Sequence, residues 1–154
     1  MGGIDRRLEE LGIVIPEVTP PLAMYVPSVL TGEYVYTSGQ LPFVNGELVA
    51  TGRVGVDITP DEAAECARVC AINAIAAVKN VIGDLDRVIR IVKVVGFVAS
   101  APEFSGQPVV VNGASNLIGE VFGDAGIHAR SAVGVASLPM NAPVEVELIA
   151  HVRA

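Results

Sequence analysis

The residues of this chain that could do chemistry gather near its C-terminal end, in the stretch 128–150. Arg130 is followed by Ser131, Ala132, Val133, Gly134, Val135 and Ala136, a run in which every second position is Ala or Gly. A guanidinium presents a planar fork that fits a carboxylate through two parallel hydrogen bonds. A floor of Ala132, Gly134 and Ala136 beside it leaves room for a ligand above a sheet. Further on, Glu145 and Glu147 alternate with Val144, Val146 and Leu148. A carboxylate in such a place can hold and deprotonate a water. On residue type alone, an arginine at a strand end and two glutamates on a polar face also read as ordinary surface charges.

The elements that must position these residues follow from patterning. The two β-branched runs around Pro139-Met140-Asn141-Ala142-Pro143 predict two final strands, with Arg130 opening the first. Residues 88–100 predict a long strand in which Val92, Val94 and Gly96 alternate with Ile91, Lys93 and Val95. Thr59-Pro60-Asp61-Glu62 is a helix start that runs to about Ile82 and stops at Gly83. Residues 108–122 predict a second helix, ended by Gly123. Residues 33–38 read as a strand, and Asn45-Gly46 within 41–50 as a hairpin turn. Ahead of these, 4–12 reads as a short amphipathic helix built on Ile4, Leu8 and Leu11 that docks on the domain or a neighbour. Residues 13–27, with Pro16, Pro20, Pro21 and Pro27, read as an extended arm. The order predicts one α+β domain over 1–154, with two helices on one face of a mixed sheet and residues 1–22 as a helix-and-arm prefix.

With those elements in place, Arg130-Ser131 through Leu138-Pro139, followed by Val144-Glu145-Val146-Glu147, resembles the C-terminal signature of the RidA/YjgF family. Tyr34-Val35-Tyr36-Thr37-Ser38-Gly39-Gln40-Leu41-Pro42 is similar to its N-terminal strand and turn. The resemblance runs from about Ala23 to Val152. It implies a chorismate-mutase-like fold, a homotrimer with a central barrel, and a ligand site between subunits. It implies that Arg130 binds a substrate carboxylate and Glu145 positions a water. It also implies that Tyr25, Ser38, Gly39 and Asn112 contact the substrate, with Asn116 a second choice for the asparagine. The implied reaction is hydrolytic deamination of a 2-imino acid, or its enamine, to a 2-keto acid and ammonia, without metal or organic cofactor. The chain departs from the family at Pro27, where a glutamine is expected, at Ala132, where a cysteine is expected, and in its longer N-terminal prefix.

Composition narrows the alternatives. Apolar residues make up 51% and aromatics 5%, so the core must be aliphatic. The net charge of −7 opposes nucleic-acid binding, which needs clustered Lys and Arg, and so disfavours an endoribonuclease. A mutase acting on a dicarboxylate would need several cations around its site, where only Arg130, with Arg90 or Lys93, offers itself. A binder of small carboxylates that lacks the water chemistry is the main competitor. Cys66 and Cys70, four apart in a predicted helix, read as buried small hydrophobes. His128 and His151 add no metal-ligand spacing. With no secretory leader and no membrane-length apolar run, a cytoplasmic protein is expected.

Two arguments predict an oligomer from the residues themselves. Two helices cover one sheet face, and the other, partly apolar, would face water. If the last two strands form a hairpin near Met140, Glu145 lies opposite Ala136, and Arg130 lies about 20 Å further along. One small ligand could then touch both only if two subunits supply them.

Overall fold

The computed structural model describes residues 2–20 and 23–154. Pro21, one of the prolines of the predicted arm, lies outside them. Helix α1 (Gly3–Glu10) is followed by strands β1 (Ser28–Thr31) and β2 (Tyr34–Thr37), the small hairpin β3 (Phe43–Val44) and β4 (Glu47–Leu48), and helix α2 (Pro60–Ile82). Then come β5 (Val88–Ala99), α3 (Gln107–Phe122), β6 (Ala129–Val135) and β7 (Val144–Val152). The main sheet is mixed, in the order β1-β2-β7-β5-β6, with β5 and β6 parallel and the other neighbours antiparallel. The described residues thus form an α+β fold with three α-helices.

Helix α2 begins where Thr59 and Glu62 cap each other: Thr59 Oγ1 accepts from the Glu62 amide (3.2 Å), and Glu62 Oε2 accepts from the Thr59 amide (2.9 Å). It ends at Gly83, whose φ of 79° a residue with a side chain adopts poorly. Ala63, Ala67, Ala71 and Ala74 form a stripe of small buried side chains. That stripe lets α3 approach until the Cα of Gly113 sits against the backbone carbonyl of Ala64, leaving no space for a Cβ. Val110, Val111, Leu117 and Ile118 of α3 and Val94, Val98, Val146 and Leu148 of the sheet complete an aliphatic core. Cys66 and Cys70 are buried in it as free thiols, as expected.

The sequence expectations need three corrections. β6 and β7 do not pair; β5 lies between them. Residues 136–143 must cross the end of β5, and Met140 and Asn141 take left-handed backbone angles to make that turn. Strict alternation in β5 also fails. Register shifts between Val88 and Arg90 and between Ile91 and Lys93 bring both Ile91 and Val94 to the buried side. Finally, a strand precedes the first predicted one. Ser28–Thr31 pairs with Tyr34–Thr37 across Gly32 and Glu33.

The amphipathic helix docks on its own chain. Leu8 is buried, Arg7 Nε donates to the Glu120 carbonyl (2.8 Å), and Lys79 lies 3.4 Å from Asp5. Asp86 caps α1 from outside, each carboxylate oxygen accepting one amide, from Gly3 and from Ile4, at 2.8 Å. These amides hold the Asp86 carboxyl below its ordinary range. A depressed carboxyl stabilises at neutral pH and loses that contribution as pH falls through its folded pKa, so α1 should loosen in acid. At neutral pH, Asp86→Ala should speed trypsin cleavage after Arg6 and Arg7 severalfold; unchanged cleavage would show that the cap does not hold the helix.

Candidate functional site

The candidate residues fall into two groups on opposite faces of the sheet. The first is centred on Arg130. In β6, Arg130 aligns with Val94 and Ala132 with Gly96, both of which face the helices. Arg130 therefore reaches toward α3. Its Nη1 donates to Asn112 Oδ1 (2.7 Å) and to Ser115 Oγ (3.2 Å). Asn112 and Ser115 are three apart on the helix and so share a face. This contact selects Asn112 over Asn116 as the partner of the arginine. The Ser115 hydroxyl also lies 2.9 Å from His128 Nε2, and His128 Nδ1 lies 2.6 Å from the Gly126 carbonyl. The small residues beside Arg130 are in part a seat for α3. A Cβ at Gly134 would meet Gln107 and Ser100. The predicted open floor is narrower than residue types imply.

The second group lies across the sheet. Glu145 and Glu147 are half-buried on the face away from the helices, with Val144, Val146 and Leu148 pointing into the core. Gly39 comes to Glu145 through a bulge. Continuing the Tyr36–Ile149 register would place Gly39 opposite Val146, but Gln40 takes that position, so the strand carries one extra residue. The Leu148 amide, left by the interrupted ladder, donates to Thr37 Oγ1 (3.0 Å). The displaced backbone sets Gly39 against the Glu145 carboxylate, so closely that any side chain at 39 would collide with it. Burial raises the Glu145 carboxyl above its ordinary range, and the neighbouring Glu147 charge adds to that.

Ser38 and Gly39 line a cleft of about 780 Å³ together with Tyr25, Gln40, Asn73 and the arm residues Pro16–Thr19. Ser38 is tied into its wall: its amide donates to the Pro27 carbonyl and its hydroxyl to the Val26 carbonyl. Asn73 donates to the carbonyls of Leu41 and Phe43, fixing the loop opposite. Tyr25 is mostly exposed. The structure thus brings Tyr25, Ser38, Gly39 and Glu145 to one neighbourhood, and Arg130 and Asn112 to another.

Within one chain the two groups stay apart. Arg130 and Glu145 are two strands and three residues apart, or about 14 Å along the sheet, and on opposite faces of it. Sequence reasoning missed Ser115 and His128. The signal was there in their spacing: His128 lies two residues before Arg130, and Ser115 lies three after Asn112 in a predicted helix.

A family model described as "YjgF/chorismate mutase-like, putative endoribonuclease" matches residues 5–152. The chain is 43% identical over 153 residues to Protein TCP17 of Trypanosoma cruzi, a match that covers 99% of this chain and 96% of that one. The crystal structure of the protein Atu1372 from Agrobacterium tumefaciens, of unknown function, is similar at a TM-score of 0.89 and 48% identity, over 98% of this chain and 94% of the other. That of E. coli TdcF with bound serine is similar at 0.62 and 27% identity, over 88% of this chain and 92% of the other. The bulged Thr-Ser-Gly-Gln strand, the arginine at the sheet edge and the match across nearly the whole chain agree: this protein belongs to the YjgF/chorismate mutase-like family.

Proposed function

We propose that the protein is a hydrolytic deaminase of small 2-imino acids, or of their enamine tautomers, working at a site shared between subunits. One observation carries the reading. Arg130 is anchored only through neutral oxygens, with no carboxylate partner among the described residues. Arg87 and Arg153 are also bonded only to neutral oxygens, but these are backbone carbonyls that tie the fold together. Arg130 is held by two side chains of α3 through Nη1, which supports a role for its other edge in binding an anion from outside. A substrate carboxylate is such an anion. The serine bound to the similar TdcF, a small carboxylate-bearing molecule, supports the same substrate class.

The chemistry needs little else. Arg130 holds the carboxylate and so fixes C2. Glu145 takes a proton from a water, whose oxygen adds to C2 as the C=N π electrons move to nitrogen. Glu145 returns its proton to that nitrogen, the proton of the new hydroxyl follows as C2=O forms, and the C–N bond breaks to release ammonia and leave the 2-keto acid. Tyr25, Ser38, Gly39 and Asn112 shape the pocket. The cleft beside Gly39 and the raised carboxyl of Glu145 support this assignment.

Geometry supports the shared site. A single small ligand cannot span the sheet to meet Arg130 and Glu145 of one chain. The face away from the helices exposes Val29, Tyr34, Tyr36 and Val133. Three copies closing a barrel would cover it, and the shared site requires Arg130 of one copy to lie beside Glu145 of the next. Light scattering should give about three times the 15.9 kDa chain mass. A value of 15.9 kDa would leave the site incomplete and sink the reading. We place the reaction in the cytoplasm, where the two free thiols stay reduced. Among the described residues, no helix is long and apolar enough to cross a membrane.

The test of the reaction supplies the imine in situ with an amino acid oxidase, in the presence of semicarbazide. The protein should divert imine to keto acid and lower semicarbazone formation. No effect on semicarbazone at any protein concentration would refute the deaminase.

A further inference from the structure

We propose that Ser115 and His128 are positioning residues that decide which edge of Arg130 meets the substrate carboxylate, an inference that rests on the deaminase reading above. The hydrogen bonds run in one direction. A carbonyl only accepts, so the 2.6 Å contact to Gly126 makes His128 Nδ1 the donor. In the neutral ring, Nε2 is then an acceptor, and the Ser115 hydroxyl at 2.9 Å must donate to it. With its proton committed, the Ser115 oxygen offers lone pairs to Arg130 Nη1 at 3.2 Å. Asn112 Oδ1 takes the second Nη1 proton at 2.7 Å.

Both protons of Nη1 are thereby used, while Nε and Nη2 make no hydrogen bond among the described residues. A guanidinium can grip a carboxylate end-on, through Nη1 and Nη2, or side-on, through Nε and Nη2. The network closes the first grip and leaves the second. The ligand carboxylate is therefore held by the Nε–Nη2 edge, and its approach is fixed before it arrives. His128 does not touch the substrate in this scheme. Its part is to orient the Ser115 hydroxyl, with the Gly126 carbonyl setting its tautomer.

Losing this restraint frees the arginine to rotate and weakens ground-state and transition-state binding together. It leaves the water chemistry on the far group alone. Ser115→Ala should therefore raise Kd for pyruvate and KM for the imine about tenfold, the size of one hydrogen bond to a charged group, with kcat nearly unchanged. His128→Phe keeps the bulk of the ring, removes both of its nitrogens, and should act in the same direction by a smaller factor. A merely structural role would lower the melting temperature without this split between KM and kcat. Calorimetry with pyruvate on the full chain, beside unaltered protein and Arg130→Ala, reads the outcome. Either variant decides the matter if the other does not fold. Pyruvate bound by the unaltered protein and lost in Arg130→Ala, but held by Ser115→Ala and His128→Phe within about twofold, overturns the positioning role alone. No binding by the unaltered protein overturns the deaminase site and this inference with it.

Discussion

Arg130→Ala should all but abolish binding of small 2-keto acids while leaving the fold intact. The guanidinium sits at the sheet edge and is anchored through Nη1, so its loss removes a charge-assisted, two-pronged grip on the ligand. The expected penalty is about 2–5 kcal/mol, or some thirtyfold to several thousandfold in Kd. Arg130→Lys should also bind poorly although the charge is kept. One ammonium cannot be held by Asn112 and Ser115 and at the same time offer two parallel donors to a carboxylate. The melting temperature should change little, because the bonds lost are to partly exposed partners. Calorimetry with pyruvate or 2-oxobutyrate measures all three proteins. Equal affinity in the three would make Arg130 an ordinary surface residue.

The second large effect is expected at Glu145. Glu145→Gln removes the base but keeps the shape, so kcat should fall about 10²- to 10⁴-fold with pyruvate affinity nearly preserved. In the unaltered protein the base must be ionised, and burial together with Glu147 has raised its pKa. Activity should therefore fall with decreasing pH sooner than an ordinary glutamate, with pKa about 4.3, would dictate. Stability moves the other way. A carboxyl with a raised folded pKa stabilises fully below its unfolded value, and that contribution is lost as pH rises through the folded value. At neutral pH, Glu145→Gln should thus be as stable as the unaltered protein or slightly more so. A melting curve and a pH–rate profile on the same samples separate the effects. Full activity in Glu145→Gln would remove it from the mechanism.

Much of this was legible in the sequence, and the failures have physical causes. Helix α2 was readable to within a residue because Thr59, Pro60, Glu62 and Gly83 are local signals, acting within a turn of where they stand. The pairing of β6 was not, because strand order is decided by what packs between strands. Residues 136–143 are long enough to cross β5, and α3 carries the chain from β5 over to a parallel β6 at the sheet edge. β1 was hidden by Pro27 just before it, although Val29 to Thr31 and Tyr34 to Thr37 flank a two-residue turn at Gly32. Arg130 and Glu145 could be named from motif, but their placement on opposite faces depends on the register of β5 against both neighbours. Gly39 as the seat for Glu145 depends on a one-residue bulge that no periodicity reveals.

The measurement that bears most directly on the central claim is release of 2-keto acid and ammonia from an imine generated in situ, with unaltered protein and with Arg130→Ala side by side. The unaltered protein should accelerate the release in proportion to its concentration, and Arg130→Ala should leave it at the uncatalysed rate. Equal rates with the unaltered protein, with Arg130→Ala and with no protein would contradict it.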